Sequence, residues 1–463
     1  MNELTISLQP KSGKPLYEQI YLYIKEDIQN GRMKSSEKLP STRSLCKYLE
    51  VSRSTVELAE GYVKAVPYKG YYVTDIEGLY QIKNSSREYQ EKEQSQKRQY
   101  LYDFTPNGVD LRGFPYNAWR KLSKECLADD KAEMFRLGNP QGESGLRNAI
   151  CNYLHQARGV NCSPDQIIVG AGNDYLYMVL TTIMGNHHKI AFENPTYKRD
   201  YQLFYNLSYE TCTVDIDEQG MDVSKLEQSN ANIAFVMPSH QYPLGIVMPV
   251  KRRLELLRWA EKKADRYIIE DDYDSEFRYK GKPIPALQGY DNHEKVIYVG
   301  TFSKSIAPAI RVSYIVLPRV LLQQYWEKSG FLNSTVSKVD QFILQKFIEE
   351  GYYERHLNKT RALYKGRHDR LLASLKCLRT QFDISGENAG VHLLLHCKNK
   401  MSETELIQRA ADKDVKVYGL SEYYVKQQMQ KPATILLGYA NMQEKSIVEA
   451  VRLLKEAWIE KDA

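Results

Sequence analysis

A lysine among small hydroxyl residues is the first feature of this 463-residue sequence that could do chemistry. Lys304 lies in "GTFSKSIAPAIR", with Thr301 and Ser303 before it and Arg311 seven residues after it. A lysine forms a Schiff base only when its amine is partly deprotonated, which requires partial removal from water. Hydroxyl groups and a guanidinium are groups that bind phosphate. Because an isolated lysine at a strand end is more often a surface residue, other segments must support a chemical role.

Three further segments contain groups that could complete such a site. "RYIIEDDYDSEFRY" ends a β-type run with acidic residues, and a carboxylate there could hold a protonated pyridine nitrogen, which makes the ring an electron sink. In "IIVGAGNDYLYMVL" a small-residue turn precedes a helical pattern, whose free N–H groups can bind phosphate. "ENPTY" offers an aromatic side chain that could cover a flat ring. Each segment taken alone is also compatible with an ordinary turn or a solvated loop.

The elements that must position these groups follow from the pattern of residues 103–463. Short β-type runs such as "HKIAFENP", "NIAFVMPS" and "KVIYVGTFSK" alternate with helical patterns. This alternation predicts an α/β domain with a mostly parallel sheet. Ligands of such sheets bind at the carboxyl ends of the strands. The segments that the pattern places at those ends are Gly170–Asn173, Asn194–Tyr197, Ser239–Gly245, Asp271–Tyr273 and Thr301–Lys304.

Residues 1–73 have a different pattern, that of a small winged helix-turn-helix domain. Leu16, Ile20, Ile24 and Ile28 form one apolar helical stripe. We predict a second short helix over about Ser41–Leu49 and a third from Ser52. "YVKAVPYKGYYV" predicts two short strands that meet at Lys69-Gly70.

In such a domain the third helix is the one that meets DNA. Ser52, Arg53 and Thr55 would lie near its N-terminus, where base edges and phosphates are contacted. Arg43 and Lys69 would contact the DNA backbone. From the pattern alone, a small helical domain with solvated charges is an equally good interpretation.

Composition limits the remaining possibilities. Residues 74–102 are rich in Gln, Glu, Lys and Ser, so they cannot bury enough apolar surface to fold and we predict a flexible linker. The formal net charge is +6, which permits a nucleic-acid partner without requiring one. The seven cysteines form no C-x-x-C pair, and no apolar run is long enough to span a membrane. We therefore expect a reduced, cytoplasmic protein without a metal site.

Two resemblances sharpen these expectations. The stretch from Gly13 to Val56, with "LPSTRSLCKYLEVSRSTV", closely resembles the GntR-type winged-helix regulators. It departs from them after Ala59, which runs directly into "EGY", so roughly six residues of the third helix are missing. Either the helix is truly shortened, which would weaken DNA binding, or the printed chain lacks these residues. The well-kept spelling on both sides favours the second explanation.

The large domain resembles the fold-type I, pyridoxal-phosphate-dependent aminotransferases. "SHQYPLG", "IIEDDYDSEFRY" and "GTFSKSIAPAIR" are closer still to the aminotransferase-like domain of the MocR family of bacterial regulators, which join a GntR head to this fold through a linker. The resemblance implies that Lys304 forms the internal aldimine with pyridoxal 5'-phosphate. Asp271 would pair with the pyridine nitrogen, and Tyr273 would bond the ring hydroxyl.

The same resemblance implies roles around the rest of the cofactor. Tyr197 would stack on the ring, and His240, with Gln241 and Tyr242, would line its other polar edge. The phosphate would be held by Gly172, Asn173, Thr301, Ser303 and Arg311.

One departure from the aminotransferases bears on activity. They usually anchor the substrate carboxylate with an arginine in a spelling like R-L-G-[FY], whereas "ATILLGYANM" places Leu436 there. Leucine cannot replace a bidentate arginine–carboxylate pair, so we expect little or no turnover of ordinary α-amino acids. Arg199 could still meet the carboxylate of an effector, although a solvated arginine at a helix start is about as plausible.

Three functions stay open at this stage. The first is a transcriptional regulator that senses pyridoxal phosphate, alone or as an aldimine with an amino compound. The second is an active aminotransferase with an appended DNA-binding domain, and the third is a regulator whose large domain only dimerises. The site residues and Leu436 favour the first. The resemblance further implies a homodimer whose heads cross to the partner subunit and bind paired promoter half-sites. The sequence does not distinguish the cofactor itself from D-alanine or another amino compound as effector, nor activation from repression.

Overall fold

The computed structural model describes residues 16–34, 36–39, 41, 43, 44, 47, 63–66, 69–73, 98–127, 132–279, 285–426 and 432–459. The chain divides into two compact units, Met1–Arg98 and Gln99–Ala463. Within the described ranges, no helix is both long and apolar enough to cross a membrane.

The N-terminal unit contains the predicted first helix and the predicted hairpin. Helix α1 spans Leu16–Gln29 and buries Ile20, and Gly31 takes a left-handed φ of +68° just after it, as helix ends often require. Strands β1 (Val63–Val66) and β2 (Gly70–Val73) pair antiparallel. Both predictions are therefore confirmed.

The predicted DNA contacts are only partly described. Arg43 is exposed on a helical turn, and Lys69 is exposed at the turn of the hairpin. Ser52, Arg53 and Thr55, together with the shortened segment after Ala59, lie outside the described residues.

The second unit is built on a mixed sheet in which most strands are parallel. The sheet has the order β4-β11-β10-β9-β8-β5-β6-β7, and only β11 and β7 run against their neighbours. Its strands are β4 (Ile167–Gly170), β5 (Lys189–Asn194), β6 (Glu210–Asp217), β7 (Gly220–Met221), β8 (Ile233–Val236), β9 (Tyr267–Asp272), β10 (Val296–Thr301) and β11 (Ser313–Val316). The predicted α/β class is thus confirmed.

A smaller antiparallel sheet forms a second layer in the same unit. Its order is β12-β13-β16-β15, and a separate parallel pair joins β14 to β3. Tyr102, which the sequence analysis assigned to the linker, pairs with Val415 in that pair. The strands are β3 (Tyr102–Asp103), β12 (Phe382–Ser385), β13 (His392–Cys397), β14 (Val415–Lys416), β15 (Tyr418–Gly419) and β16 (Thr434–Gly438).

Helices cover both sheets and close their cores. The helices of the second unit are α2 (Tyr116–Leu127), α3 (Ser144–Arg158), α4 (Asn173–Met184), α5 (Lys198–Asn206), α6 (Val223–Gln228), α7 (Val250–Glu261), α8 (Arg319–Lys328), α9 (Lys338–Glu349), α10 (Tyr352–Leu375), α11 (Glu403–Asp412) and α12 (Glu444–Trp458). The central strands β5, β8 and β9 are buried on both faces, as apolar strands of a helix-covered parallel sheet are. Helix α10 contributes to two cores: Leu357 packs under the large sheet, and Leu371 packs with the small one.

Register places the predicted site residues at one edge of the large sheet. Strands β9 and β10 are parallel, with Asp271 opposite Val299 and Asp272 opposite Gly300. The segments that follow them therefore leave the sheet on the same side. Gly170 ends β4, which runs in the same direction as β10 because β11 is antiparallel to both.

Candidate cofactor site

Lys304 follows β10 by three residues, and its amine points to the short segment after β3. Its Nζ donates to the carbonyl oxygen of Asn107 at 3.1 Å and to the side-chain Oδ1 of the same residue at 3.0 Å. Burial lowers the pKa of Lys304 to about 8, against an opposing effect of the Asp274 carboxylate. A neutral amine is therefore accessible near neutral pH, and that is the nucleophilic form that attacks an aldehyde.

Asn107 is a site residue that sequence reasoning missed. Besides accepting from Lys304, it donates from Nδ2 to the Tyr242 hydroxyl at 3.1 Å, and this hydroxyl donates to that of Tyr423 at 3.0 Å. A row of hydrogen bonds through Asn107, Tyr242 and Tyr423 thus orients the lysine amine. No motif around Asn107 signals this role.

Asp271 is a buried carboxylate with an unpaired oxygen. The residue is 5% exposed, and Oδ1 has no hydrogen-bond partner among the described residues. Burial raises the pKa of Asp271 well above its usual range, and the neighbouring Asp200 carboxylate raises it further. Burying such a group is costly unless a donor or a cation satisfies it. A protonated ring nitrogen is a partner of the required kind.

The turn before α4 has the geometry of a phosphate cradle. Gly172 precedes the helix at a φ of +94°, and a Cβ there would collide with Nη2 of Arg311. Only glycine leaves room for the guanidinium beside this turn, where Nη2 of Arg311 donates to the carbonyl oxygen of Ala171 at 3.4 Å.

Two polar atoms near this turn are buried and, among the described residues, unpaired. They are Oδ1 of Asn173 and the hydroxyl oxygen of Ser303. Thr301 accepts at Oγ1 from the Ser303 backbone N–H at 3.1 Å and from the Ser313 hydroxyl at 2.9 Å, which orients the turn that carries Ser303. A hydroxyl and a guanidinium are donors suited to phosphate oxygens.

Asp174 links the two arginines for which we predicted ligand contacts. Its Oδ2 accepts from Arg199 at 2.7 Å and from Arg311 at 3.3 Å. The side chains of Arg199 and Arg311 are 63% and 50% exposed, so both remain reachable from solvent. Sequence analysis missed Asp174, although it is the acidic residue in the first turn of α4.

Two aromatic rings form one wall. Tyr197 precedes α5 and is half-buried, and its ring centroid lies 5.8 Å from that of Tyr242 in an edge-on arrangement. The Gln241 side chain donates to the backbone oxygen of Pro195 at 2.9 Å, which ties the turn of Tyr242 to that of Tyr197.

His240, Asp274 and Tyr273 form a buried polar cluster. His240 donates from Nδ1 to Oδ2 of Asp274 at 2.9 Å, and the Tyr273 hydroxyl lies 2.9 Å from the same nitrogen. The Nε2 atom of His240 is buried without a hydrogen-bond partner among the described residues. Asp274 was not predicted, although it lies in the quoted "EDDYDSEF" segment and acts on Lys304 electrostatically.

Leu436 lies in an apolar environment in the middle of β16. It is fully buried, is opposite Leu394 on β13, and packs in a cluster with Leu420 and Tyr424. None of these neighbours carries a cationic group that could pair with a carboxylate.

Three side chains outside the cofactor site are close enough together to be considered as metal ligands. Cys151, His155 and Cys162 place one ligand atom each within 4.8 Å of one another. Because His155 is already hydrogen-bonded through Nε2 to the carbonyl oxygen of Cys162 at 2.8 Å, we do not propose a metal site here.

Comparison with known proteins identifies both parts of the chain. The family "Bacterial regulatory proteins, gntR family" matches residues 16–73, and "Aminotransferase class I and II" matches residues 107–454. The uncharacterized HTH-type transcriptional regulator YdeL of Bacillus subtilis is 38% identical over 96% of this chain and 97% of its own length. The probable rhizopine catabolism regulatory protein MocR of Rhizobium meliloti is 30% identical over 96% and 94%, respectively.

Solved structures agree on the fold of the second unit. The kynurenine aminotransferase of Pyrococcus horikoshii superimposes with a TM-score of 0.69 over 78% of this chain and 91% of its own, at 23% sequence identity.

The two domains and the full-length relatives define a class: an HTH-type transcriptional regulator with an aminotransferase-like domain. Within that class, the chain belongs to the MocR family of GntR-type regulators. The cofactor that the aminotransferase fold implies is pyridoxal phosphate. The residues present fit it: Asp271 offers an unpaired acceptor, the turn at Gly172 a cradle, and Lys304 an amine with a lowered pKa.

Proposed function

We propose that this regulator senses pyridoxal phosphate, alone or carrying an amino compound, through the site at Lys304. The observation that carries the proposal is a buried oxygen of Asp271 that has no hydrogen-bond partner in the described part of the chain, at the same sheet edge as Lys304. A cofactor that fills this site satisfies a costly buried group, so its binding is favoured. When bound, pyridoxal phosphate supplies an aldehyde for the lysine and an electron-withdrawing ring.

Each residue has a defined task in this proposal. Asn107 orients the Lys304 amine, and Asp271 holds the proton of the ring nitrogen. Tyr273 binds the ring hydroxyl, while His240 and Asp274 fix the position of Tyr273. Tyr197 covers the ring face. The phosphate is bound by Gly172, Asn173, Thr301, Ser303 and Arg311.

We further propose that the domain has little or no aminotransferase turnover. A transaminase must orient the carboxylates of two substrates accurately, since small misplacements are costly. The apolar surroundings of Leu436 support this view. Arg199 is the remaining candidate for binding an effector carboxylate, provided that Asp174 releases it.

Signalling would proceed through a change of conformational equilibrium. A ligand shifts such an equilibrium only by its differential affinity for the two states. We propose a homodimer in which this shift alters the spacing of two DNA-binding heads. The segment that the sequence predicts as a linker, without Tyr102, which pairs in β3, has enough residues to reach several tens of ångströms as a coil, and that reach would let the heads cross.

DNA binding measured with and without the cofactor tests the proposal. Promoter fragments should show an affinity or footprint that changes on addition of pyridoxal phosphate in the wild type and not in Lys304→Ala. Identical DNA binding of both proteins under all cofactor conditions would contradict sensing. A screen of amino compounds, D-alanine included, for spectral shifts of the loaded protein would identify the effector.

The head can be tested independently of the cofactor. We expect Arg53→Ala to weaken promoter binding and to relax sequence preference, because an arginine at this position would contact base edges. Lys69→Ala should weaken binding to all sequences and reduce the salt dependence, as loss of a phosphate contact does. Neither change should affect cofactor absorbance; unchanged DNA affinity in Arg53→Ala would remove this residue from the interface.

A further inference from the structure

A cavity of about 280 Å³ lies beside the cofactor site, and most of the residues that line it have no role assigned above. It shares only His240 and Asp274 with the cofactor site; Lys304 and Asp271 do not line it. Its other polar walls come from the end of α3, the segments after β8 and β9, and the middle of α10. They include Arg158, Ser239, Glu276, Arg278 and Arg361.

Three guanidinium groups line this cavity, and one of them is neutralised. Arg158 donates from Nε to Oδ2 of Asp272 at 2.8 Å and from Nη2 to the Ser239 hydroxyl at 2.6 Å. Arg278 and Arg361 make no ion pair with any described residue. Arg361 donates from Nε to the Glu276 carbonyl at 2.7 Å and from Nη1 to Oδ1 of Asn358 at 3.0 Å.

Arg278 is the least satisfied of the three. Its Nε is buried and has no hydrogen-bond partner among the described residues. Burial lowers the pKa of Arg278, and the charge of Arg158 lowers it further. A cation next to another cation, with an unsatisfied buried donor, is costly until an anion binds it.

The acidic groups of the cavity do not supply that anion. The Oδ2 atom of Asp274 accepts a hydrogen bond from Nδ1 of His240 at 2.9 Å. Glu276 accepts from the hydroxyls of Tyr153 at 3.2 Å and Tyr353 at 3.3 Å. Its burial raises the pKa to about 7, so a good part of it is uncharged near neutral pH. Neither carboxylate forms an ion pair with Arg278 or Arg361, and neither does any other described residue.

The position of the cavity gives an anion there a structural effect. Arg278 follows the large sheet, whereas Arg361 lies on α10 between Leu357, which packs in one core, and Tyr364, which packs in the other. A ligand that contacts both arginines would join the segment after β9 to the helix shared by the two layers.

We propose that this cavity is a second ligand site, which binds a small anionic metabolite through Arg278 and Arg361. The ligand carries a carboxylate or a phosphate group, since both accept paired hydrogen bonds from guanidinium. The volume suits a molecule smaller than a typical drug. The site is separate from the phosphate cradle at Arg311 and does not depend on the sensing function proposed above.

Calorimetric titration of the full-length, cofactor-loaded protein tests the proposal. Succinate and inorganic phosphate are the two probes, and loading with pyridoxal phosphate fills the cradle at Arg311. We expect at least one probe to bind saturably at one site per chain. Arg278→Gln and Arg361→Gln should each weaken that binding at least tenfold; the tighter probe identifies the ligand class.

Arg370→Gln is the matched control, because Arg370 lies on the same helix, is half-exposed and pairs with Glu444 at 3.4 Å. Its binding should equal that of the wild type. Thermal unfolding of each variant establishes that it is folded, and the wild-type titration alone remains decisive if one variant is not. Absence of saturable binding by both probes would overturn the proposal, as would equal losses in Arg370→Gln or a loss only in Arg311→Gln.

Discussion

The turn before α4 and the middle of β16 differ in the polar groups that they offer a ligand. At the turn before α4, Gly172, Asn173, Ser303 and Arg311 supply a cradle with two buried polar atoms that lack partners among the described residues. At β16, Leu436 is buried among leucines and a tyrosine. The first end keeps what a cofactor phosphate requires, and the second lacks what an amino-acid carboxylate requires.

Our proposal of cofactor binding without substrate turnover rests on this difference. Binding pyridoxal phosphate requires a lysine, a carboxylate and a phosphate cradle, all of which this chain has at one sheet edge. Orienting an ordinary α-amino acid requires a further fixed cation. A domain with the first set and without the second suits a regulator that responds to the cofactor.

Removing the Schiff-base amine gives the largest expected effect on the first half of the comparison. Lys304→Ala should lose the visible absorbance band of the cofactor-loaded protein completely. Lys251→Ala, which removes an exposed lysine on α7, should keep that band. An undiminished band in Lys304→Ala would mean that another amine binds the cofactor.

Placing a charge at the apolar end should greatly lower the stability of the protein. Leu436→Arg buries a guanidinium without an acidic partner, so we expect a loss of about 3–5 kcal/mol in unfolding free energy. Leu436→Met, which keeps the volume, should cost less than about 1.5 kcal/mol. Denaturant unfolding measures both, and a fully stable Leu436→Arg would show that this end accommodates a charge after all.

Adjacent aspartates on β9 should respond in opposite ways. Asp271→Asn should weaken cofactor binding by about 3 kcal/mol, because a charged hydrogen bond is lost. Asp272→Asn should instead destabilise the protein by about 3–5 kcal/mol, because it leaves Arg158 unpaired at a buried ion pair. Cofactor titration and denaturant unfolding distinguish the two effects.

Asp271 also predicts a pH dependence for the stability of the cofactor-free protein. Since the pKa of Asp271 is raised in the folded state, that state binds more protons above about pH 4 and the wild type loses stability as pH rises. Asp271→Asn removes this loss, so its stability relative to the wild type should increase with pH. If the unfolding free energies of the two proteins changed with pH in parallel, the pKa of Asp271 would not be raised in the folded state.

The two arginines that share Asp174 give the smallest expected effect. Arg311→Gln should weaken cofactor binding only about tenfold, because its side chain is half-exposed and already paired. Arg199→Gln should leave cofactor affinity unchanged, because we assign it to the effector. Equal losses in the two variants would place both arginines at the cofactor phosphate.

The predicted strand ends indicate which side of the sheet carries the site, but they do not indicate which side chains form hydrogen bonds with one another there. Lys304 and Asp271 could be singled out because each follows a β-type run, and parallel strands bring such ends together. Asn107 lies 197 residues from Lys304 in the chain, and no local pattern encodes that contact. Asp274 is adjacent to Tyr273, yet its pairing with His240 depends on how two separate loops pack.

The surroundings of Leu436 also could not be predicted from local sequence patterns. The motif comparison marks the missing arginine, but the apolar surroundings depend on the pairing of β16 with β13, where Leu436 is opposite Leu394. In the head, the 3.6-residue apolar stripe and the Lys69-Gly70 turn sufficed to predict α1 and the hairpin, because both are local structures.

The most direct test is a multiple-turnover assay of the cofactor-loaded wild type with pairs of ordinary α-amino acids and keto acids. We predict a bound cofactor with its visible band and no sustained formation of new keto acid. Many turnovers per site would contradict the claim that this domain retains the cofactor while lacking the means to process amino acids.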